Sequence, residues 1–132
     1  MRISQKLLSR KGQSAVETAL ILPIIIIIIT GIIDFGLTFN NYLIINNASR
    51  EGARNAAVGA SDSQIVSNIK DMASTLDQSK LKITIVPDGS TRKAGNEVTI
   101  TVEYDNDLIT PVIGSLVGKT LHLKAKTVMR IE

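Results

Sequence analysis

The chain has 132 residues, of which 44% are hydrophobic and 3% aromatic, and it contains no cysteine and one histidine. This composition excludes a disulfide framework, a thiolate metal site and a thiol nucleophile, and it argues against a histidine-rich metal centre. No nucleotide-binding loop and no catalytic constellation is visible in the sequence either. We therefore expect no metal, no other cofactor and no enzymatic activity.

The formal net charge of +3 is unevenly distributed along the chain. Residues 1–12 hold four of the 15 basic residues and none of the 12 acidic ones, so the rest of the chain is slightly acidic. A slightly acidic body lacks the basic face that binding to a phosphate backbone requires. We therefore expect no nucleic-acid partner.

An uncharged apolar run, Ala19 to Ile33, follows the basic leader. With Ala15 and Phe35 as its outer limits, the segment reaches the length of about 20 residues that a bilayer core requires. The basic leader should remain cytoplasmic, which predicts export of residues 40–132. The sequence thus predicts a single-pass protein of the cytoplasmic (inner) membrane that contacts the lipid bilayer.

Three kinds of N-terminal segment combine a basic leader with an apolar run. They are a cleaved secretory signal peptide, an uncleaved signal anchor and a prepilin-type leader that is cut before the apolar segment. No A-x-A-like site follows the run within a few residues, which disfavours the first. A prepilin leader ends in glycine, with a glutamate five residues later, and here Gly12 and Glu17 take these positions. This joint pattern favours cleavage between Gly12 and Gln13.

Each residue of this processing motif has a physical use. Gly12 lets a protease approach the backbone closely because it has no Cβ atom, and cleavage would create a new α-amine on Gln13. A carboxylate at Glu17 is expensive in lipid unless it is paired, so the amine of a neighbouring subunit would neutralise it and help to set the assembly register. In the alternative interpretation, Glu17 is an interfacial carboxylate that needs no partner.

Two further residues of the apolar segment are candidates for a role in assembly. Pro23 removes one helix hydrogen bond and is expected to bend the helix, which membrane helices tolerate. Asp34 either pairs inside an assembly or marks the outer membrane interface.

Residues 40–60 are expected to continue the helix. Small residues recur there every four positions, from Ala48 through Gly52 to Ala60, and such a stripe allows close packing against the protein's own strands or another helix. The charged residues Arg50, Glu51 and Arg54 are neighbours on this helix, where Glu51 and Arg54 can pair. We expect the arginines to fix the orientation of the domain or to contact acidic partners.

The sequence pattern of residues 61–132 predicts a small domain. Ser61 and Gln64 form a capping box at the start of an amphipathic helix. Three segments of alternating polarity follow and predict an antiparallel meander. A turn is expected at 105–107. The apolar connection 108–118 is expected to contain a short helix and either to fill the core or to form a hydrophobic lip that meets lipid or a partner subunit.

Two segments resemble motifs of TadE-like proteins, the minor pseudopilins of the tight-adherence (Tad, Flp-type) pilus system. The first, Gly12–Pro23, has the Gly, the Glu and the following Pro, and it departs from the family at Thr18, where Phe is more usual. The second, Ala48–Val58, contains A-S-R-E-G-A-R-N-A, against a family pattern of A-x-R-E-G-A-R-x-A. The C-terminal residues 128–132 are also similar to family endings.

The resemblance implies processing by an aspartate prepilin peptidase. It also implies assembly with other pilin or pseudopilin subunits and with Tad membrane proteins, including incorporation into a cell-surface pilus. The function would then be carried by subunit interactions. The candidate assembly residues are therefore Glu17, Pro23, Asp34, Arg50, Glu51, Gly52 and Arg54.

Together, these observations predict an α+β protein with three parts. Residues 1–12 are a prepilin leader, residues 13–60 are a long transmembrane, pilin-like helix with its extension, and residues 61–132 are a small exported domain. The domain is expected to have a three-stranded antiparallel sheet packed with one or two helices. The predicted function is that of a minor pilin-like subunit in pilus assembly, adhesion or secretion. The alternative is a signal-anchored exported binding module that is not proteolytically processed.

Overall fold

A computed structural model describes residues 2–132, with side chains from Arg10 onward except that of Lys11. The basic side chains of the predicted leader at Arg2, Lys6 and Lys11 lie outside this description.

A single long helix, α1 (Arg2–Ala57), dominates the molecule. Its 56 residues would extend about 84 Å along a straight axis. Pro23 lies within α1 without ending it. The isolated residues Pro23, Gly31 and Gly36 do not end the helix, which continues through residues 34–47 into the alanine-rich segment at 48–57.

The C-terminal end of α1 is closed by a Schellman motif. Gly59 has a φ of 89°, a left-handed conformation that favours glycine. The Ala60 N–H donates to the Asn55 carbonyl at 3.0 Å, and the Gly59 N–H donates to the Ala56 carbonyl at 3.2 Å. These bonds satisfy carbonyls that the end of the helix would otherwise leave unpaired.

A second helix, α2 (Asp62–Met72), begins three residues beyond Gly59. Ser61 is its N-cap, and the predicted capping box is present: the Gln64 N–H donates to the Ser61 hydroxyl, and the Gln64 side chain accepts from the Ser61 N–H. The buried face of α2 is formed by Ile65 and Ile69. A single 3₁₀ turn, Gln78–Lys80, then leads into the sheet.

The sheet is an antiparallel meander of three strands, in the order β1 (Leu81–Val86), β2 (Glu97–Asp107) and β3 (Thr120–Arg130). Alternate residues of β2 are buried, because this central strand lies beneath α1. A short helix, α3 (Pro111–Val117), lies in the connection between β2 and β3. The predicted α+β class and sheet are confirmed.

The small-residue stripe of α1 packs against the protein's own α2 and sheet. Ala48, Ala53 and Ala56 are fully buried. At Gly52, a Cβ atom would lie 2.6 Å from Ile69 Cδ1, closer than carbon atoms can approach. The small side chains therefore allow α1 to lie directly on the core of the domain.

The prediction of a turn at 105–107 is wrong, because β2 continues through these residues. Asn106 points inward and is only 5% exposed. Its amide nevertheless has partners on α1: Asn41 Nδ2 donates to Asn106 Oδ1 at 2.7 Å, and Asn106 Nδ2 donates to Thr38 Oγ1 at 2.8 Å. Hydrogen bonding removes most of the cost of burying an amide, so the polar sequence does not end the strand.

The core-filling alternative for residues 108–118 is also wrong. Leu116 is 80% exposed and Ile109 is 71% exposed. In this segment Gly114 is buried and Ile113 is half-buried, while most of the apolar side chains lie on the surface. The segment therefore forms an exposed hydrophobic lip, and its contact with lipid or a partner subunit stays a prediction.

Gly52→Ala should destabilise the domain because the new methyl group displaces Ile69. Overpacking of this kind costs about 1–3 kcal/mol. Thermal unfolding of the full chain in detergent, followed by circular dichroism, should show a lower midpoint. Gly36→Ala is the matched control, since no atom lies within 4 Å of a Cβ atom there. Equal loss of stability in both variants would contradict the packing role of Gly52.

Candidate functional site

The processing motif lies on an exposed stretch of α1. A Cβ atom at Gly12 would meet no other atom within 4 Å, so the position is open to a partner. Gln13 Nε2 donates to Glu17 Oε1 at 3.3 Å, and both side chains are exposed. Glu17 therefore has a long hydrogen bond to an amide of its own chain and remains accessible to a neighbouring subunit.

The bond between Gly12 and Gln13 lies inside the uninterrupted helix α1. A protease must unwind this turn before the peptide group can enter an active site. Glycine in a helix interior is less favourable than alanine by about 0.5–1 kcal/mol, so Gly12 lowers the cost of unwinding.

An apolar surface surrounds α1 between Val16 and Leu43. Its exposed large side chains are Val16, Leu20, Ile21, Leu22, Ile24, Ile25, Ile26, Ile27, Ile28, Ile29, Ile32, Ile33, Phe35, Leu37, Phe39, Tyr42 and Leu43. Among the described residues, α1 is the one helix that is long and apolar enough, over Gly12–Ala57, to cross a membrane. The rest of the protein leaves its apolar part almost entirely uncovered. Exposed apolar surfaces of this extent mark contacts with lipid or with other proteins. This surface indicates a membrane anchor.

Two threonine hydroxyl groups, one just before the apolar run and one inside it, are satisfied by the helix itself. Thr30 Oγ1 donates to the Ile26 carbonyl at 2.9 Å, and Thr18 Oγ1 donates to the Ser14 carbonyl at 3.0 Å. Such bonds remove the penalty that an unpaired hydroxyl would carry in an apolar medium. These threonines therefore do not interrupt the apolar character of the segment.

Asp34 has an intramolecular role that the sequence did not reveal. Its side chain is buried, and its two carboxylate oxygens accept the backbone N–H groups of Ile109 and Thr110, each at 3.0 Å. Thr110 Oγ1 also reaches the Thr30 carbonyl at 3.5 Å. Asp34 thus fastens the connection between β2 and α3 to α1, and a role in assembly remains a prediction.

The second motif, Ala48–Val58, has some residues in the core of the domain and others on its surface. Gly52 is buried against α2, whereas Arg50 and Arg54 are exposed. Arg54 Nη2 lies 3.4 Å from Glu51 Oε1. An exposed pair of this spacing contributes only about 0.3–0.5 kcal/mol. Fold stability therefore explains the glycine but not the arginines, which remain free to contact a partner.

The two motifs do not form one site. Gly12 and Gly52 lie 40 residues apart on α1, which corresponds to about 60 Å along a straight helix. Asp34 lies between them. In the part of the chain that the structure describes, no group of three or more acidic, histidine or cysteine residues could hold a metal ion. The candidate residues are therefore arranged as contact points along a rod, not around a reaction centre.

Arg92 is an anchoring residue that sequence reasoning missed, because it lies in a polar loop. Its side chain is only 6% exposed, forms an ion pair with Asp62 and donates to the Ala60 carbonyl at 3.1 Å. These contacts hold the loop between β1 and β2 against the junction of α1 and α2. No spacing pattern in the sequence could have indicated them.

A charged pair lies where β2 ends and the hydrophobic lip begins. The Lys80 ammonium group and the Thr120 hydroxyl hold the pKa of Asp107 below its usual value, and the same contact raises the pKa of Lys80. Both groups therefore remain charged around neutral pH. The pair therefore marks the start of the apolar connection at 108–118 with two charged side chains.

Comparison with known protein families gives a match over part of the chain. Residues 12–54 match the family model described as TadE-like protein. The matched range begins at Gly12, includes all of the first motif and ends at Arg54 within the second, and it confirms the resemblance. The chain matches no curated protein and no solved structure. The sheet and α3 lie outside the matched range.

Asp34→Ala should release the connection at Ile109 and Thr110 while the sheet remains folded. Leaving buried backbone N–H groups without an acceptor costs about 1–3 kcal/mol, so exchange of these two amides should accelerate by about 10-fold to 100-fold. Hydrogen exchange on the full chain in nanodiscs measures this directly. Glu51→Ala, which removes a half-buried carboxylate that accepts no bond from this connection, should leave both amides protected. Unchanged exchange in Asp34→Ala would contradict the anchoring role.

Proposed function

We propose that this chain, with its TadE-like segment, is a minor pilin-like (pseudopilin) subunit of a Tad/type IV-like pilus. A prepilin peptidase cleaves it after Gly12, and it acts through subunit interactions in pilus assembly, adhesion or secretion. The observation that carries this proposal is the form of α1: an uncovered apolar helix with a processing motif at one end and a folded domain on the other.

The apolar part of α1 has two environments in this mechanism. Before assembly, lipid covers it. In the assembly, the α1 helices of neighbouring subunits replace the lipid, so the apolar surface remains out of water in both states. This exchange explains why the domain leaves that part of the helix uncovered.

The polar contacts at the start of the helix would set the register of assembly. Cleavage gives Gln13 a free α-amine, and Glu17 presents an accessible carboxylate one turn away. An amine of one subunit that meets the carboxylate of another neutralises a charge that is costly in an apolar medium. Such a pair would favour one stagger between helices over the others.

The positively charged leader supports a cytoplasmic N-terminus and an exported domain. The partners in this scheme are the peptidase, other pilin or pseudopilin subunits, Tad assembly membrane proteins and the bilayer of the cytoplasmic membrane. The exposed arginines Arg50 and Arg54 would contact acidic surfaces of these subunits. TadE-like proteins are structural components of pilus systems, which supports a role in binding without catalysis.

A signal-anchored exported binding module is the second candidate. The continuous helix across Gly12 and Gln13 favours it, because a helical peptide bond resists proteolysis. In that case residues 1–12 would remain on the chain.

Co-expression with a prepilin peptidase should yield a chain that begins at Gln13. Intact mass and N-terminal sequencing measure this. Gly12→Val should retain the leader because its branched side chain obstructs approach to the backbone, whereas Gly36→Ala should be cleaved normally. A chain that still begins at Met1 beside an active peptidase would overturn the processing step and favour the second candidate.

Glu17→Ala should be cleaved but should assemble poorly, because it removes the register carboxylate and leaves the scissile bond unchanged. The readout is the fraction of cleaved chain that co-purifies with other pilus subunits, expected to fall at least 10-fold. Thr18→Ala is the matched control, since Thr18 is exposed and bonds within its own helix. Equal recovery of the Glu17→Ala and Thr18→Ala variants would remove Glu17 from the mechanism.

A further inference from the structure

We propose that the lip of the domain is a membrane-seating patch that inserts into the outer-leaflet interface beside α1. The seating patch consists of Ile109, Val112, Leu116 and Val117. The proposal rests on α1 spanning the membrane, as in the proposed function, but it requires neither processing nor a pilus.

The seating patch has the form of an interfacial surface. Ile109 is 71% exposed, Leu116 80% and Val117 63%, and Val112 is also exposed. Val112 and Leu116 are four residues apart in α3, the spacing of side chains on one helical face, and Ile109 lies just before the helix. No charged residue occurs between Leu108 and Gly118. Water is a poor environment for such a face.

Contacts with α1 place the seating patch at the outer end of the apolar run. A Cβ atom at Gly31 would lie 3.1 Å from Ile113 Cδ1, so α3 packs closely against α1 at that level. Asp34 holds Ile109 and Thr110 one turn further along. The height of α3 relative to the membrane is therefore fixed by α1.

The depth matches that of an interfacial helix. Gly31 precedes Phe35, the expected outer limit of the span, by four residues, or about 6 Å along the helix. Interfacial helices bury their apolar face about 5–10 Å into the boundary between headgroups and acyl chains. If α1 spans the bilayer as expected, α3 cannot avoid this layer.

The seating patch is continuous with the lipid-facing surface of α1. An apolar groove of about 160 Å³ joins the two elements, and Gly31, Phe35, Ile113 and Val117 contribute to its lining. Phe35 is itself exposed and stacks on Phe39. A bilayer that surrounds α1 at this level therefore also covers the groove and the seating patch.

Charged groups lie where the apolar surface ends. Lys119 directly follows the apolar segment, and Lys80 pairs with Asp107 just before it. Basic side chains at this position can reach the lipid phosphates. A second copy of the chain is a poorer occupant, because a stable interface buries about 800 Å² per partner and the seating patch offers four side chains.

Seating would orient the domain before assembly. The domain contacts α1 from Thr30 onward, and the seating patch would rest on the membrane at the same level. The sheet could then neither tilt away nor rotate freely about α1. Removal from the membrane into a filament would have to release this contact.

Tryptophan fluorescence provides a direct test, because the chain contains no tryptophan. Leu116→Trp in the full chain would be reconstituted at low density in phosphatidylcholine and phosphatidylglycerol vesicles, with brominated acyl chains as the quencher. Val58→Trp is the control, since Val58 is 67% exposed and lies beyond the end of α1. Circular dichroism should confirm that both variants fold.

We expect a blue-shifted emission for Leu116→Trp and quenching at least threefold greater than for Val58→Trp. Equal quenching of the two variants would overturn the proposal. In a further series the density of protein in the vesicles is raised. If the quenching of Leu116→Trp is then lost while its emission shifts to the blue, the seating patch contacts a second copy and the proposal is overturned.

A third variant separates this proposal from the membrane anchor. Ile26→Trp reports the middle of the apolar run. Strong quenching of Ile26→Trp without quenching of Leu116→Trp would reject the seating patch and leave the proposed function intact. Absence of quenching in Ile26→Trp would reject the anchor, and the seating patch with it.

Discussion

The helix α1 lies in two environments, and this division determines how the other elements are arranged. The N-terminal half of α1 exposes large apolar side chains that the protein does not cover, whereas one face of the C-terminal half, from Ile45 to Ala57, is buried against α2 and the sheet. Burial of apolar surface favours both halves, but the first requires lipid or neighbouring helices to achieve it. The protein is therefore complete only in a membrane or an assembly.

The change of environment occurs at a polar girdle on α1. Asp34, Thr38 and Asn41 are spaced so that each meets the end of β2 or the connection that follows it. Their bonds to Asn106 and to the backbone at Ile109 are made where the helix passes from the apolar layer to the domain. The girdle therefore fixes the domain, and α3 with it, at one level of the helix.

The TadE-like segment combines residues that serve the fold with residues that do not. Gly52 is required because Ile69 occupies the space of a side chain, a reason internal to the domain. Arg50 and Arg54 satisfy no buried group and add little stability. A motif with both kinds of residue is typical of an element that must pack on its own domain and still present a surface to partners. This division supports function through contact.

The apolar helix, the capping box at Ser61 and the three alternating strands could be predicted from the sequence, because each follows from a local pattern of polarity or capping. The roles of Asp34, Arg92 and Asn106 became visible only in the folded molecule. Each of these polar side chains finds its partners on an element distant in sequence, so no local spacing could reveal whether it is buried and bonded or solvated. The exposure of α3 was undecided for the same reason, since its apolar residues fit a core as well as a lipid surface.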